Sequence, residues 1–144
     1  ELFYLLKTPS LFFKKRMVTK VTKGIKISVE TKFEGSIYRE HQLFQAFSYT
    51  ITIENLSKDT IQLLNRFWEI RDALKLPEYV EGEGVIGKKP VIPPQQKHSY
   101  SSGCLLSSPI GSMNGYYEML NFSTGKTFKV SIPNFKLSAP FILN

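Results

Sequence analysis

The stretch around the single tryptophan reads RFWEIRDALKLPEYVEGEGVIG and covers residues Arg66–Gly87. From Thr60 onward, large apolar residues recur at Leu64, Trp68 and Ile70, a spacing that is typical of a strand with one buried face. We interpret the tryptophan as a core anchor rather than a ligand platform, because burial best accommodates so large a side chain. The stretch therefore predicts a strand, then a connection, then a turn rich in glycine.

Alternation of apolar and polar residues predicts two further strands upstream of this stretch. It runs from Ile25 to Val29 and from Phe47 to Ile53. The polar segment Ser36–Gln45 between them is interpreted as a mobile connection. Three prolines within Pro90–Pro94 exclude a helix interior and favour an edge segment, because proline lacks the backbone donor that a central strand needs.

Strand patterns also recur downstream, at Lys97–Ser101, Tyr116–Phe122 and Phe128–Ile132. Between them, Ser101–Cys104 and Ser107–Gly111 are interpreted as turns, and Gly111–Gly115 as a turn or as a pair of glycines at a strand entry. No segment has a sustained helical period of 3.6 residues. Many short strands separated by turns predict an all-β fold, an antiparallel β-sandwich.

One globular domain accounts for a chain of 144 residues, 42% of them hydrophobic. Residues 1–16, ELFYLLKTPSLFFKKR, are predicted to lie outside the fold, as an upstream read-through or a mobile extension, and the domain to cover residues 17–144. A surface-seeking amphipathic tail is the alternative for residues 1–16. Their apolar run is too short to span a bilayer, and their order of charged and apolar residues is the reverse of a signal peptide, so we expect no membrane partner.

Charge and cysteine content narrow the classes of function. The net charge is +7, and residues 84–144 hold six lysines against Glu118 alone. A solvated basic face is the favoured interpretation, since this half has no arginine for bidentate phosphate or base recognition, and we expect no nucleic acid partner. The single cysteine, Cys104, excludes an internal disulfide and fits a cytoplasmic protein.

The glycine turn, Gly82-Glu83-Gly84-Val-Ile-Gly87, has the spacing of a dinucleotide-binding loop. That loop must open a helix, and the prolines that follow prevent one. We therefore expect Gly82 and Gly84 to adopt backbone angles that other residues avoid, and Gly87 to allow close strand packing. The alternative is a backbone nest that binds a phosphate or another anion. Its candidate residues are Gly82, Glu83, Gly84, Gly87, Lys88, Lys89 and Arg66.

Other groupings of reactive residues are weaker. Asp72, Glu78, Glu81 and Glu83 could offer oxygen ligands to a hard cation, but their spacing fits no established loop and a solvated patch is favoured. His41, His98 and Cys104 are too few and too widely spaced to specify a metal site. A nucleophilic pair of Cys104 and His98 lacks an orienting third residue. The sequence predicts no metal, no cofactor and no catalysis.

Five runs occur in a fixed order along the chain: LLNRFWEI (63–70), VEGEGVIG (80–87), YSSG (100–103), PIGSMNGYYEM (109–119) and FKVSIPNFKL (128–137). In this order they resemble the ApaG family. The resemblance covers Met17–Asn144. It implies an immunoglobulin-like or fibronectin type III-like β-sandwich, an association with cobalt and magnesium efflux in bacteria, and use as a recognition domain in eukaryotic F-box and polymerase-interacting proteins.

The sequence departs from the family pattern in three places. Phe67 stands where the family commonly has His or Tyr, which weakens any mechanism that needs an imidazole beside Trp68. Ala73–Tyr79 replaces a short hairpin that contains glycine, and Pro94-Gln95 replaces the usual Pro-Gly. The last two departures concern loop geometry.

These observations favour a non-catalytic binding module that recognises another, unidentified protein through the surface around Glu78–Pro94. The alternative is a sensor of a small ligand, such as phosphate, pyrophosphate or a nucleotide, at the turn Gly82–Gly87. The sequence leaves the oligomeric state open, and a homo-oligomer is one of the outcomes it allows.

Overall fold

A computed structural model of the chain describes residues 16–141. Within this range the regular elements are nine strands, and no residue is helical. The strands are β1 (Arg16–Thr22), β2 (Ile25–Arg39), β3 (Gln42–Asn55), β4 (Ile61–Asp72), β5 (Glu78–Glu83), β6 (Val91–Ile92), β7 (Lys97–Leu106), β8 (Ile110–Asn121) and β9 (Thr127–Ser138). The predicted extension therefore falls outside the described residues, apart from Arg16, where β1 begins.

The strands form two antiparallel sheets that pack face to face. The first has the order β1-β2-β3-β7, and the second has the order β5-β4-β8-β9, with the two-residue β6 also paired to β4. Every pairing between neighbours is antiparallel. The predicted antiparallel β-sandwich is confirmed, and so is the edge position of the proline-rich segment.

The core lies between the sheets, where the alternation read from the sequence places one face of each strand. Ile25, Ile27 and Val29 of β2 are fully buried, as is Ile51 of β3. Trp68 is 6% exposed, and its ring packs against Tyr49 and Phe135 at centroid distances of 5.6 and 5.9 Å. The interpretation of Trp68 as a core anchor is confirmed.

The sequence predicted a mobile connection at Ser36–Gln45, and this prediction is wrong. The segment is the tip of the long β2–β3 hairpin. Ile37 pairs with Phe44 and Tyr38 with Leu43, and the hydroxyl of Ser36 donates a 2.6 Å hydrogen bond to Gln45. The turn consists of Glu40 and His41 at φ 51° and 65°, the positive values that a tight hairpin turn needs. β1, which precedes the first predicted strand, was also missed.

Ser101–Cys104, which was interpreted as a turn, lies within β7. For Gly111–Gly115 the structure agrees with the second alternative, since β8 begins at Ile110 and the two glycines lie in its first half. Gly115 is required there because a β-carbon would overlap the carbonyl oxygen of Phe67 on β4. In β4 itself, a bulge at Leu64 shifts the register, so Leu63 rather than the predicted Leu64 enters the core.

The two sides of the sandwich differ. On one side β1 packs against β9, and the amide of Ser131 donates to the Thr22 hydroxyl at 3.3 Å. On the other side, the edge strand β7 faces β4 and the end of β5, which brings Tyr100 and Ser102 near Arg66 and Glu83. The glycine turn lies on this second side.

Candidate functional site

The residues after β5 form a tight two-residue turn. The amide of Val85 donates to the carbonyl of Lys88 at 2.8 Å, and the amide of Lys88 donates to the carbonyl of Val85 at 3.1 Å. The central residues, Ile86 and Gly87, have φ values of 48° and 71°. Two positive values are the mark of a type I′ turn, which glycine adopts readily and a β-branched residue adopts only under strain.

The three glycines have different roles, and two of these roles differ from the prediction. Gly84 has φ 62°, as expected, and a β-carbon there would overlap the carbonyl oxygen of Lys88. Gly82, expected at a positive φ, instead allows close packing, since its β-carbon would lie 2.8 Å from Nη2 of Arg66. Gly87, expected to allow packing, has open space around it and supplies the positive φ. Their positions depend on Arg66 and on the turn type, which spacing does not reveal.

Arg66 holds the end of the glycine segment in place. Its Nη1 donates to the carbonyl oxygens of Glu83 and Gly84 at 2.9 and 2.8 Å. The structure therefore brings Arg66 together with Gly82–Gly84, as the candidate set requires. A cation that already binds two carbonyl oxygens acts first as a support of the turn.

The two lysines of the candidate set have different surroundings. Lys89 pairs with Glu83 at 3.1 Å, and both side chains are largely exposed. Lys88 lies near His98: burial lowers the pKa of the His98 imidazole, and the charge of Lys88 lowers it further. The amides of Gly84, Val85 and Lys88 all donate to backbone carbonyls. Anion binding at this turn stays a prediction, and these three donors are already in use.

A small cavity of about 250 Å³ opens between the sheets beside this turn. Its polar lining includes Arg66 of β4, Tyr49 of β3, and Tyr100 and Ser102 of β7. Burial raises the pKa of Tyr49, while a hydrogen bond with Ser102 acts in the opposite direction. Sequence reasoning missed Tyr49, Tyr100 and Ser102, because they come from the other sheet. The only available signal was the alternation that turns Tyr49 inward.

A second, shallower groove lies on the outer face of β4, β5 and β8. Phe67 stacks on Tyr116 with ring centroids 4.5 Å apart, and Nζ of Lys129 lies 4.5 Å above the Tyr116 ring. Tyr79 and Glu81 form the β5 wall of this groove, which encloses about 550 Å³. Phe67, which replaces the family's usual His or Tyr, is thus one half of an aromatic platform on the side of the sheet opposite Trp68.

The residues considered for metal binding and catalysis are dispersed. His98 and Cys104 lie on one strand, six residues apart, or about 20 Å, too far to form a nucleophilic pair. Burial, together with the charges of Glu78 and Asp72, raises the pKa of the Cys104 thiol to about 11. Asp72 accepts hydrogen bonds from the amide and hydroxyl of Ser107 at 2.7 and 2.6 Å. In residues 16–141 no three His, Cys, Asp or Glu side chains converge on a metal position.

The same range contains no helix of the length and apolarity needed to cross a bilayer.

Comparison with known proteins gives a consistent result. The family profile described as the ApaG domain matches residues 36–121. The protein ApaG of Vibrio cholerae is 44% identical over 121 residues, which cover 83% of this chain and 94% of that protein. The protein ApaG of Edwardsiella ictaluri is 38% identical over 118 residues, which cover 82% and 94% of the two chains.

Solved structures agree with these sequence matches. An X-ray structure from the Northeast Structural Genomics Consortium superposes with a TM-score of 0.79 at 38% identity, covering 83% of this chain and 90% of the other. The ApaA protein of Bordetella pertussis superposes with a TM-score of 0.71 at 32% identity, covering 81% and 94%. Together with the fold and the ordered motifs, these matches show that the chain belongs to the ApaG domain family.

Proposed function

We propose that this ApaG domain is a non-catalytic, cytoplasmic binding module that recognises another protein through the surface around Glu78–Pro94 and the loop before it. The observation that carries the proposal is a concentration of exposed apolar side chains. Leu76, Leu74 and Tyr79 are 88%, 73% and 72% exposed, and they are three of the five most exposed large hydrophobic residues in the described range. Clusters of this kind are typical of interaction surfaces.

The neighbouring groove gives this surface an aromatic floor. Tyr79 borders the Phe67–Tyr116 stack, and Tyr residues are frequent anchors of protein interfaces because they bury a large area at a small cost in conformational entropy. Glu69 accepts hydrogen bonds from Asn114 at 2.9 Å and Arg71 at 3.1 Å. The polar rim beside the groove is thus already ordered, which reduces the entropy lost on binding.

The family resemblance implies a link to cobalt and magnesium efflux. We propose that the module serves this process through contacts with another protein. A small anionic ligand is a second candidate, favoured by the cavity where Arg66 faces Tyr49 and Ser102. Titration with pyrophosphate and ATP, followed by NMR, tests it: saturable shifts at Gly82–Lys89 that disappear in the double variant Lys88→Ala, Lys89→Ala would support a ligand sensor.

Photo-crosslinking in cells tests protein recognition. A photoreactive amino acid at Leu76 should yield a discrete crosslinked species, and Tyr79→Glu should abolish it by placing a charge in the apolar surface. Tyr38→Glu is the matched control, because Tyr38 is 78% exposed and lies at the tip of the β2–β3 hairpin, in the other sheet. Equal crosslinking in the two variants, or none in the native protein, would overturn the proposal.

A further inference from the structure

The edge of β7 differs from the other sheet edges. β7 is ten residues long, and its register with β3 is regular from Lys97↔Glu54 to Leu106↔Gln45. Among the described residues, β3 is the only strand that pairs with it. Such an edge carries a row of backbone donors and acceptors that can pair with a further strand.

The remaining edges carry features that discourage pairing. β5 has six residues, three of which are glutamates: Glu78, Glu81 and Glu83. β9 contains Pro133 at a bulge opposite Met113–Gly115, and β1 is covered in part by its contacts with β9. After Lys97, β7 has no Asp, Glu, Lys, Arg or Pro residue and no bulge. By the criteria that distinguish protected from receptive edges, β7 is the receptive one.

The cavity beside β7 is complementary to negative charge. In the described range no carboxylate oxygen lies within 4.0 Å of the Arg66 guanidinium, although Arg66 is partly buried. The one acidic side chain that lines the cavity, Glu83, is paired with Lys89 at 3.1 Å. Hydroxyl groups of Tyr49 and Ser102 lie in the same lining. A carboxylate can accept two parallel hydrogen bonds from a guanidinium, and this pairing is strong where both groups are partly buried. Arg66 would therefore bind a carboxylate more tightly than a neutral acceptor.

These two features are adjacent. Tyr100 and Ser102 belong both to the edge strand and to the cavity lining. A strand added beside β7 would lie about 4.8 Å from it, and alternate side chains of the added strand would face the space between the sheets. One of those side chains would therefore extend toward Arg66.

We propose that β7 pairs with an extended segment of a partner protein, and that an Asp or Glu side chain of this segment enters the cavity and pairs with Arg66. The inference rests on the proposed protein-recognition function and specifies the chemistry of the partner. Lys88, Lys97 and the net charge of +7 favour an acidic segment during encounter. Backbone pairing supplies affinity and the acidic side chain supplies register.

Selection from a random peptide library displayed on phage, with the full chain as bait, tests this mode directly. The selected peptides should alternate in polarity and share one acidic position. Synthetic peptides with that residue changed to Gln or Asn should bind about tenfold more weakly, the loss expected for a charge-assisted hydrogen bond. NMR should show shifts and slowed amide exchange at residues 97–106.

A matched pair of variants locates the acidic side chain. Ser102→Glu places a carboxylate in the cavity and should reduce peptide affinity about tenfold or more. Thr52→Glu introduces the same charge on the outer face of β3, where Thr52 bonds to Ser99 at 2.9 Å, and should leave the affinity within about twofold. Thermal unfolding of both variants separates loss of binding from loss of fold.

The outcomes are distinct. Shifts that map outside residues 97–106, or no selected peptide, would overturn β7 pairing. Peptides without an acidic preference, or equal effects of the two variants, would overturn the pairing of an acidic side chain with Arg66. Protection, in the free protein, of the β7 amides that point away from β3 would show that another segment of this chain or a second copy occupies the edge, and would also overturn β7 pairing. If crosslinking at Leu76 succeeds while peptide selection fails, protein recognition stands and only this mode is rejected.

Discussion

Gly82 faces Arg66 directly across the β4–β5 pair, and a β-carbon at Gly82 would lie 2.8 Å from Nη2 of the guanidinium. The absence of a side chain at Gly82 lets the guanidinium reach past it to the carbonyl oxygens of Glu83 and Gly84. Gly82, the first glycine of the motif, therefore makes room for the side chain of Arg66 and not for a bound ligand. The cavity and the turn both depend on that arrangement.

Gly82→Ala is expected to destabilise the protein by about 2 kcal/mol, because the added methyl group displaces the guanidinium from two carbonyl acceptors. Urea unfolding measures the change. In an Arg66→Lys background Gly82→Ala should lower the stability much less. The lysine ammonium group is compact, so the guanidinium that needs the space beside Gly82 is absent. If the full cost persists in that background, Gly82 is constrained by something other than Arg66.

Gln95→Gly is expected to stabilise the protein by about 1 kcal/mol. Gln95 is exposed and has φ 66°, in a turn where the amide of Gln96 donates to the carbonyl of Pro93 at 3.1 Å. This is the third position of a type II turn, where glycine avoids the strain that a side chain imposes.

The neighbouring residue provides the control for this prediction. Gln96 is also exposed but has no positive φ, so Gln96→Gly should lower stability slightly through the greater freedom of the unfolded chain. Thermal and urea unfolding of the two variants should therefore change in opposite directions. A decrease in both would show that the backbone at Gln95 relaxes without strain.

The strands were predictable wherever exactly one face of a segment is buried. Ile25–Val29 and Phe47–Ile53 alternate because their inward residues enter the core. The hairpin tip, Ser36–Gln45, consists mainly of exposed or half-buried residues, so its pairing leaves no period in the sequence. Strand β7 was cut short for a similar reason, since the edge position leaves its inward residues half-exposed.

The sequence could predict only those contacts of the candidate site that join neighbouring strands. Arg66 and Gly82–Gly84 meet because β4 and β5 are consecutive antiparallel strands. Tyr49 and Ser102 reach the same cavity through pairings in the other sheet, and such long-range contacts have no local pattern. The exchanged roles of Gly82 and Gly87 follow from those same three-dimensional contacts.

Asp72→Asn is expected to destabilise the protein at neutral pH by about 1–3 kcal/mol. Oδ2 accepts both hydrogen bonds from Ser107 and Oδ1 accepts one from the Leu74 amide, whereas an Asn side chain has one acceptor oxygen and an NH2 group that only donates. Burial alone would raise the pKa of Asp72, but the hydrogen bonds from Ser107, Ser108 and the Leu74 amide together outweigh it, and the pKa lies below its usual value. A lowered folded-state pKa contributes stability above the unfolded value of about 3.9, and this contribution is lost as pH falls further.

Urea unfolding as a function of pH checks this prediction. The difference between native protein and Asp72→Asn should be largest above about pH 5 and should shrink as the native carboxylate is protonated. Glu78→Gln, which changes an exposed carboxylate at the end of the same loop, should alter stability by less than about 0.5 kcal/mol. A difference that does not vary with pH would assign the effect to packing.

The hydroxyl groups of Tyr100 and Tyr117 form a hydrogen bond between β7 and β8, and the two Phe substitutions should have unequal effects. Tyr117 is 0% exposed, whereas Tyr100 lines the open cavity. Tyr100→Phe leaves the buried hydroxyl of Tyr117 without its partner and should cost about 2 kcal/mol. Tyr117→Phe leaves the hydroxyl of Tyr100, a half-buried residue that lines the cavity, and should cost less than about 1 kcal/mol.

The double variant completes a thermodynamic cycle measured by urea unfolding. Replacing both hydroxyls leaves no buried polar group unsatisfied, so the double variant should be more stable than Tyr100→Phe alone, with a coupling energy of about 1 kcal/mol. Simple additivity of the two single effects would mean that the hydroxyls do not depend on each other. In that case Tyr117 would have to satisfy its hydroxyl through a water that enters from the cavity beside Arg66.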